Sequence, residues 1–433
     1  MVALFKALQV FLAISFLIII HEFGHFIFAK LFGIRVEKFY LFFDAGGKSI
    51  LRFKKGDTEY GIGWLPIGGY CKISGMIDES MSFDHLETEP QPWEFRTHPA
   101  WQRLLVMAGG VLFNFIFAIL VFTCILAKNG DTYVENEGNA IYVNELAYEM
   151  GFRNGDRILA FDDYIPENFF DLQSDLARRK ARKATVLRGA DTLDIYIDRS
   201  RIGEVLNTPG MFDIAIPFVI DSVQSAGPNA GAGILSGDRI IAFDDKPVEF
   251  AQDSRALLAD YAGKPVVATL LRQKDTLRLG LQVDSLGMIG VYMRMPGFVV
   301  RDYKGLSAIP AGFSYTFTTT RDYIRDLGLI VTPSTQAYKS VGSFIAIGQV
   351  MPSVWDWMEF LFIMAMLSVM LGVMNLIPIP ALDGGHILFT IYEMLTGRKP
   401  SDKFMIGAQM VGMILIFALL FLAFGNDIGR LIK

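Results

Sequence analysis

Apolar residues gather in four runs near the two ends of the chain: Val10–Ala29, Leu104–Ala127, Phe360–Pro380 and Phe404–Phe424. Each is about 20 residues long, the length a helix needs to cross the ~30 Å hydrocarbon core of a bilayer. One such run can be a buried core helix, but four in one chain predict four transmembrane helices. The first is read as a span and not as a cleaved leader. His21, Glu22 and His25 interrupt it, and no small-x-small site follows. From about 128 to 355 the pattern changes to short alternating stretches bounded by turn residues, which predicts strands.

That middle segment contains a repeat. Gly151–Asp163 recurs as Gly233–Asp245, with nine of thirteen positions identical at an offset of 82. This period points to two tandem small domains and not to a solenoid. Each copy opens with a Gly-Asp turn and a strand-like Arg-Ile-x-Ala-Phe, and a helix-like stretch follows (Phe169–Arg182, Phe250–Tyr261). The pattern resembles PDZ domains, α+β modules that bind extended peptides by strand addition.

Positive charge orients the spans. Lys6 alone precedes the first, whereas Lys30, Arg35, Lys38, Lys48, Arg52, Lys54 and Lys55 follow it, and Arg398, Lys399 and Lys403 separate the third from the fourth. The positive-inside rule puts both loops in the cytoplasm. Both termini and the segment 128–355 are then expected outside. Composition agrees with a membrane protein: 52% of residues are hydrophobic and only 20% charged, against about 25% charged in soluble chains. A net charge of −5 offers no basic surface for nucleic acid, and the two cysteines, Cys71 and Cys124, form no disulfide framework.

The candidate chemistry lies inside the spans. His21-Glu22-Phe23-Gly24-His25 places two imidazoles at i and i+4 of a helix, on one face, within reach of one Zn²⁺. Glu22 adjoins the first ligand and is placed to act as general base toward water activated by the metal. Three ionisable residues in a lipid-spanning run are costly unless functional. A tetrahedral catalytic site needs a third protein ligand. The candidate is Asp383, in Asn375-Leu-Ile-Pro378-Ile-Pro380-Ala-Leu-Asp383-Gly-Gly-His386 at the end of the third run. The two prolines predict a broken helix there. Both histidines and Asp383 fall in the cytoplasmic half of their spans, so they share a depth. His386 is a competing ligand or a supporting residue. Asn375 hydrogen-bonds either substrate backbone or a neighbouring helix.

HExxH in the first span, NxxPxPxLDGGH in the third and PDZ-like repeats inserted between the second and third resemble the site-2 intramembrane metalloprotease family over nearly the whole chain. The resemblance implies zinc held by His21, His25 and Asp383, Glu22 as base, and Asn375 in substrate binding. Ile62–Met76, with Trp64-Leu-Pro-Ile-Gly-Gly-Tyr70, looks like the family's membrane-re-entrant β-hairpin, whose Gly68 and Gly69 would admit the substrate backbone. Gly109 to Asn114 resembles its Gly-x-x-x-Asn segment, with Gly110 where proline is usual.

The expected fold is a polytopic α-helical membrane protein with four transmembrane helices, a re-entrant β-hairpin and two inserted PDZ-like domains. The expected domains are 1–127, 128–204, 205–296, an amphipathic region 297–355, and 356–433. The expected activity is zinc-dependent cleavage of single-span membrane proteins in a bacterial inner membrane. An anti-sigma factor already cut by another protease, or a remnant signal peptide, is the implied substrate. A membrane-anchored PDZ scaffold without protease activity is the competing reading, and the intact Glu22 and Asp383 argue against it. A metal transporter fits poorly, because there is one ligand cluster and no inverted repeat.

Overall fold

The computed structural model describes residues 2–76 and 89–432. Helix α1 (Val2–Leu31) is followed by strands β1 (Val36–Phe43), β2 (Ser49–Lys55), β3 (Thr58–Gly63) and β4 (Leu65–Ile73), and then by helix α2 (Ala100–Asn129). The middle of the chain forms two modules. The first holds β5 (Asp131–Tyr133), β6 (Ile141–Val143), α3 (Glu145–Glu149), β7 (Arg157–Phe161), α4 (Leu172–Arg178), β8 (Lys183–Arg188), β9 (Asp191–Tyr196), α5 (Ile202–Asn207) and β10 (Phe212–Ile214). The second holds β11 (Ile220–Val223), β12 (Arg239–Phe243), β13 (Lys246–Pro247), α6 (Ala251–Ala259), β14 (Pro265–Arg272), β15 (Asp275–Gln282) and β16 (Val291–Met293), and β17 (Val299–Arg301) follows. The chain ends with α7 (Ala308–Ile330), α8 (Phe344–Val350), α9 (Trp357–Leu376), α10 (Asp383–Thr396) and α11 (Asp402–Ile432). Two compact units result. Met1–Asp131, Asp302–Gly328 and Tyr338–Lys433 form one, and Thr132–Arg301 with Leu329–Ala337 forms the other.

Within the first unit, α1, α2, α9 and the stretch Lys403–Arg430 of α11 are long and apolar enough to span a bilayer. Their outward faces carry the apolar side chains that a soluble fold would hide, among them Phe16, Leu120, Ile414 and Phe421. Aromatic contacts mark both ends of α1: Phe5 meets Trp355 and Phe32 meets Trp101. These pairs lie about 40 Å apart along the helix at 1.5 Å per residue, close to the full thickness of a bilayer. His21 and His25 sit in the C-terminal half of that interval. The backbones of α1 and α2 touch at Gly24 and Gly109, where a Cβ on either residue would strike the partner's carbonyl. Small residues give membrane helices this closeness.

The segment expected as a hairpin belongs to something larger. The four strands form one sheet in the order β2-β3-β1-β4. β3 and β4 do not pair with each other. β1 lies between them, parallel to β3 and antiparallel to β4. β4 therefore stands at one border of the sheet among the described residues. Lys38, Lys54 and Lys55 made 36–55 read as a basic loop, but the alternation of Val36, Tyr40 and Phe42 toward the buried face makes β1 a central strand.

In the second unit the repeated sequence builds the same device twice. Asp156 takes a forked pair of 2.8 Å hydrogen bonds from Arg188, whose second nitrogen also donates to Gly151 O. Asp238 takes the same pair, also at 2.8 Å, from Arg272, which donates to Gly233 O. Two planar groups matched in this way fix the turn against its sheet. The sheets are β7-β8-β9 in the first module and β13-β12-β14-β15 in the second, with β6–β10 and β11–β16 pairing separately. The expected boundary at 204/205 falls inside α5. Ile202 and Val205 are both fully buried in the first module's core, and β10 pairs with β6, so that module runs on through Ile214.

Candidate metal centre

α1 presents His21 and His25 one turn apart on its buried face, with ring centroids 4.9 Å apart. The third group arrives from α10. Helix α9 stops at Leu376 because Pro378 and Pro380 cannot continue the backbone ladder. The chain then folds back on itself so tightly that a Cβ at Gly384 would collide with the carbonyl of Ile377, and one at Gly385 with Pro380. This fold-back places Asp383 at the first turn of α10, facing the histidines. Its Oδ2 lies 3.1 Å from His21 Nε2 and 3.3 Å from His25 Nε2, and the two Nε2 atoms are 3.3 Å apart. Among the described residues this is the one group of three or more His, Cys, Asp or Glu that can hold a metal ion.

The triangle fits zinc. A tetrahedron with bonds of about 2.0–2.1 Å has edges of about 3.3–3.4 Å, and the three edges here are 3.1, 3.3 and 3.3 Å. The orientation of the ring points the same way. His25 Nδ1–H donates to the carbonyl of Val106 at 2.8 Å, which turns Nε2 toward the Asp383 carboxylate and the centre of the triangle. The Val106 contact also fixes the ring, as a supporting bond to a metal-binding imidazole does.

Other residues crowd the triangle. The buried amide of Asn114 meets His21 Nδ1 at 3.1 Å, and the amide of Asn375 lies 3.3 Å from His21 Nε2. Asn114 is held in turn by Ser368, which donates to its carbonyl at 2.9 Å. Gly110 is glycine for steric reasons: a Cβ there would lie 2.6 Å from His21 Cε1 and closer still to His25 Nε2. The Gly109-Gly110 pair visible in the sequence thus serves both the helix contact and the ligands.

Glu22, His386 and Gly69 line a cavity of about 60 Å³ with the three ligand residues, which has room for a few water molecules. The backbone N–H of Cys71 in β4 bonds to Glu22, and Gly69, Tyr70 and Cys71 bring β4 to the wall of the cavity. His386 lines the cavity but stands outside the converging set. Gly68 has φ +78° and lines a neighbouring groove instead of this cavity. Of the residues singled out from the sequence, His21, Glu22, His25, Asp383, His386 and Gly69 line one cavity and Asn375 reaches His21, whereas Gly68 does not line it. Val106 carried no motif signal, because its role comes from tertiary contact; Gly110 stood in a recognisable segment, but its contact with the histidines did not show there.

A zinc-type triangle within membrane helices, with a carboxylate beside it, defines a membrane metalloprotease. The sequence comparison agrees: residues 9–419 match the model of peptidase family M50, and the chain belongs to that family. It is 30% identical to the regulator of sigma-E protease RseP of Escherichia coli K12, over 97% of both chains. Its identity to the regulator of sigma E protease of Salmonella typhi is also 30%, again over 97% of both. A relative from Borreliella burgdorferi whose description places it among zinc metalloproteases is 30% identical over 98% of both chains. This chain is a multi-pass membrane zinc metalloprotease.

Proposed function

We propose that the protein cuts single-span membrane proteins within or next to their transmembrane helix, in a bacterial inner membrane. The relatives' names connect them with sigma-E regulation, and an anti-sigma factor already cut by another protease, or a remnant signal peptide, is the substrate we infer from the family resemblance. His21, His25 and Asp383 hold the zinc, which when bound supplies Lewis acidity to the scissile carbonyl and to water. Glu22 takes the proton of the attacking water on its carboxylate and delivers it to the leaving amine. Asn375 hydrogen-bonds the substrate backbone.

The observation that carries this reading is the His21, His25 and Asp383 triangle with Glu22 lining the same cavity, among helices long and apolar enough to span a bilayer. A membrane helix keeps its carbonyls in i→i−4 bonds, so a protease must open it and supply other partners. Strand backbone can supply such partners, and β4 lies beside the cavity that Glu22 lines. The two modules, read as PDZ-like, and both chain termini lie on the extracytoplasmic side, where the modules exclude substrates that still carry bulky outer domains. Mapping the cut ends of a single-span test protein by mass spectrometry tests the proposal. Cuts inside or at the border of the span are expected. Cuts confined to soluble loops would overturn it.

A further inference from the structure

We infer that Gln409 of α11 donates the hydrogen bond that holds the scissile carbonyl oxygen while it carries negative charge, a step that rests on the protease reading above. Residues 404–425 are a bilayer-length run in which Gln409 is the only side chain with an amide, a hydroxyl or a charge. Its neighbours Met410 and Val411 face outward, as does Ile414. Gln409 does the opposite. It is 5% exposed and lines the cavity shared by His21, Glu22, His25 and Asp383. Among the described residues its amide has no hydrogen-bond partner. A buried amide left unanswered within a membrane helix is costly, and such polar groups are functional as a rule.

The packing of α11 brings the side chain to the site. Gly412 follows Gln409 by three residues, on the same helix face. A Cβ at Gly412 would lie 2.6 Å from the backbone nitrogen of Ala381, so α11 rests directly on the fold-back that carries Asp383. Ala381 and Leu382 of that fold-back line the cavity too. Gln409, one turn before the contact, therefore enters the cavity from a helix that supplies neither the ligands nor Glu22.

The chemistry decides what the amide meets. As water adds, its oxygen bonds to the carbonyl carbon, the π pair moves onto the carbonyl oxygen, and a water proton goes to Glu22. When the C–N bond breaks, the pair on oxygen re-forms the carbonyl, and Glu22 gives its proton to the amine nitrogen. Between these events the oxygen is negatively charged and is stabilised by a fixed N–H or O–H donor. The other polar side chains of the cavity are committed. His21 and His25 turn Nε2 into the metal triangle. Tyr70 gives its hydroxyl proton to Asp44 at 2.6 Å, and His386 has a partner of its own. Glu22 and Asp383 are acceptors. The Nε2–H of Gln409 is the strong side-chain donor left for substrate, and it keeps its proton throughout.

Gln409→Met tests this, because methionine keeps the length and unbranched shape of glutamine and removes the donor. With a single-span test substrate in bilayer discs, kcat should fall about 10²–10³-fold while KM stays within about twofold of wild type. Gln409→Leu, which also lacks a donor, should match it. A phosphinic peptide, whose anionic tetrahedral centre copies the charged oxygen, should bind more weakly by a similar factor. The ordinary peptide of the same sequence, bound in the Glu22→Gln background so that it is not cut, should bind as before. Zinc content and melting temperature should not move. Met410→Leu, on the outward face, is the control and should cut at the wild-type rate. A wild-type kcat for Gln409→Met would overturn the inference. A raised KM with unchanged kcat would overturn it too, by making Gln409 a contact to the uncut substrate. Equal weakening of both peptides, or loss of zinc, would make Gln409 a packing residue and overturn it as well. A wild-type enzyme that cuts no single-span protein would defeat the protease reading, and the inference with it.

Discussion

Replacing Gly110 by alanine adds one methyl group where α2 meets the two histidines. That carbon would lie 2.6 Å from His21 Cε1 and 2.8 Å from His21 Nδ1, where ordinary contact begins at 3.4 Å. The ring must give way by about 0.8 Å, the difference between 3.4 and 2.6 Å. A metal site tolerates only about 0.2 Å in its ligand distances. The helix itself gains up to about 1 kcal/mol when glycine becomes alanine, while overpacking costs about 1–3 kcal/mol. Thermal stability should thus change modestly. Zinc affinity should fall about 10- to 100-fold, as it does when a ligand's supporting contacts are disturbed. Zinc content by mass spectrometry against a graded chelator, with the melting temperature taken in parallel, separates the two effects. Gly407→Ala is the control, because nothing lies within 4 Å of its Cβ position; zinc should be unchanged. Zinc held at wild-type affinity by Gly110→Ala would refute the steric argument and, with it, the assignment of His21 and His25 as ligands.

Three further outcomes follow from the same geometry. Asp383→Asn should lose zinc as well as activity, since a neutral amide is a poorer ligand; retained stoichiometric zinc would remove Asp383 from the set. Asp238→Asn should destabilise the second module by about 2 kcal/mol, because it leaves the Arg272 fork unanswered at a site where the carboxylate is 1% exposed. The Arg272 hydrogen bonds hold that carboxyl below its usual range. The stabilisation is therefore complete above the unfolded value of about 4 and is lost as pH falls below it. A wild-type melting temperature that is flat down to pH 3 would contradict the depressed carboxyl. A cysteine placed near Asn229, at the exposed Ala230, should react with an impermeant reagent from the extracytoplasmic side, and labelling only after lysis would reverse the orientation.

The parts of this protein that were legible in sequence are those encoded by local spacing. Apolar runs of bilayer length became helices, although α1 extends eight residues earlier than its run. His21 and His25 needed only the pitch of a helix, and the Gly-Asp repeat carried its own turn and strand, although the arginine that grips each aspartate comes from 32 or 34 residues downstream. Asp383 was found because prolines and glycines advertise a broken backbone. The sheet was under-read, since lysines on β1 and β2 masked its alternation and a central strand between β3 and β4 leaves no turn signal. The module boundary was misplaced because Ile202 and Val205 look like any short helix until they are seen packed in the first core. Gly110, Val106 and the contact of Asn114 with His21 lie about 80 to 90 residues from the histidines they support. Only the packing of α2 on α1 brings them together.

The most direct test of the central claim is the Glu22→Gln variant, purified into bilayer discs with a single-span test substrate. Glutamine keeps the size and hydrogen bonding of Glu22 but cannot accept a proton from water. The account predicts one zinc per chain, an unchanged melting temperature, retained substrate binding, and cleavage slowed by about 10²–10⁴-fold. Cleavage at the wild-type rate, with zinc and fold intact, would contradict it.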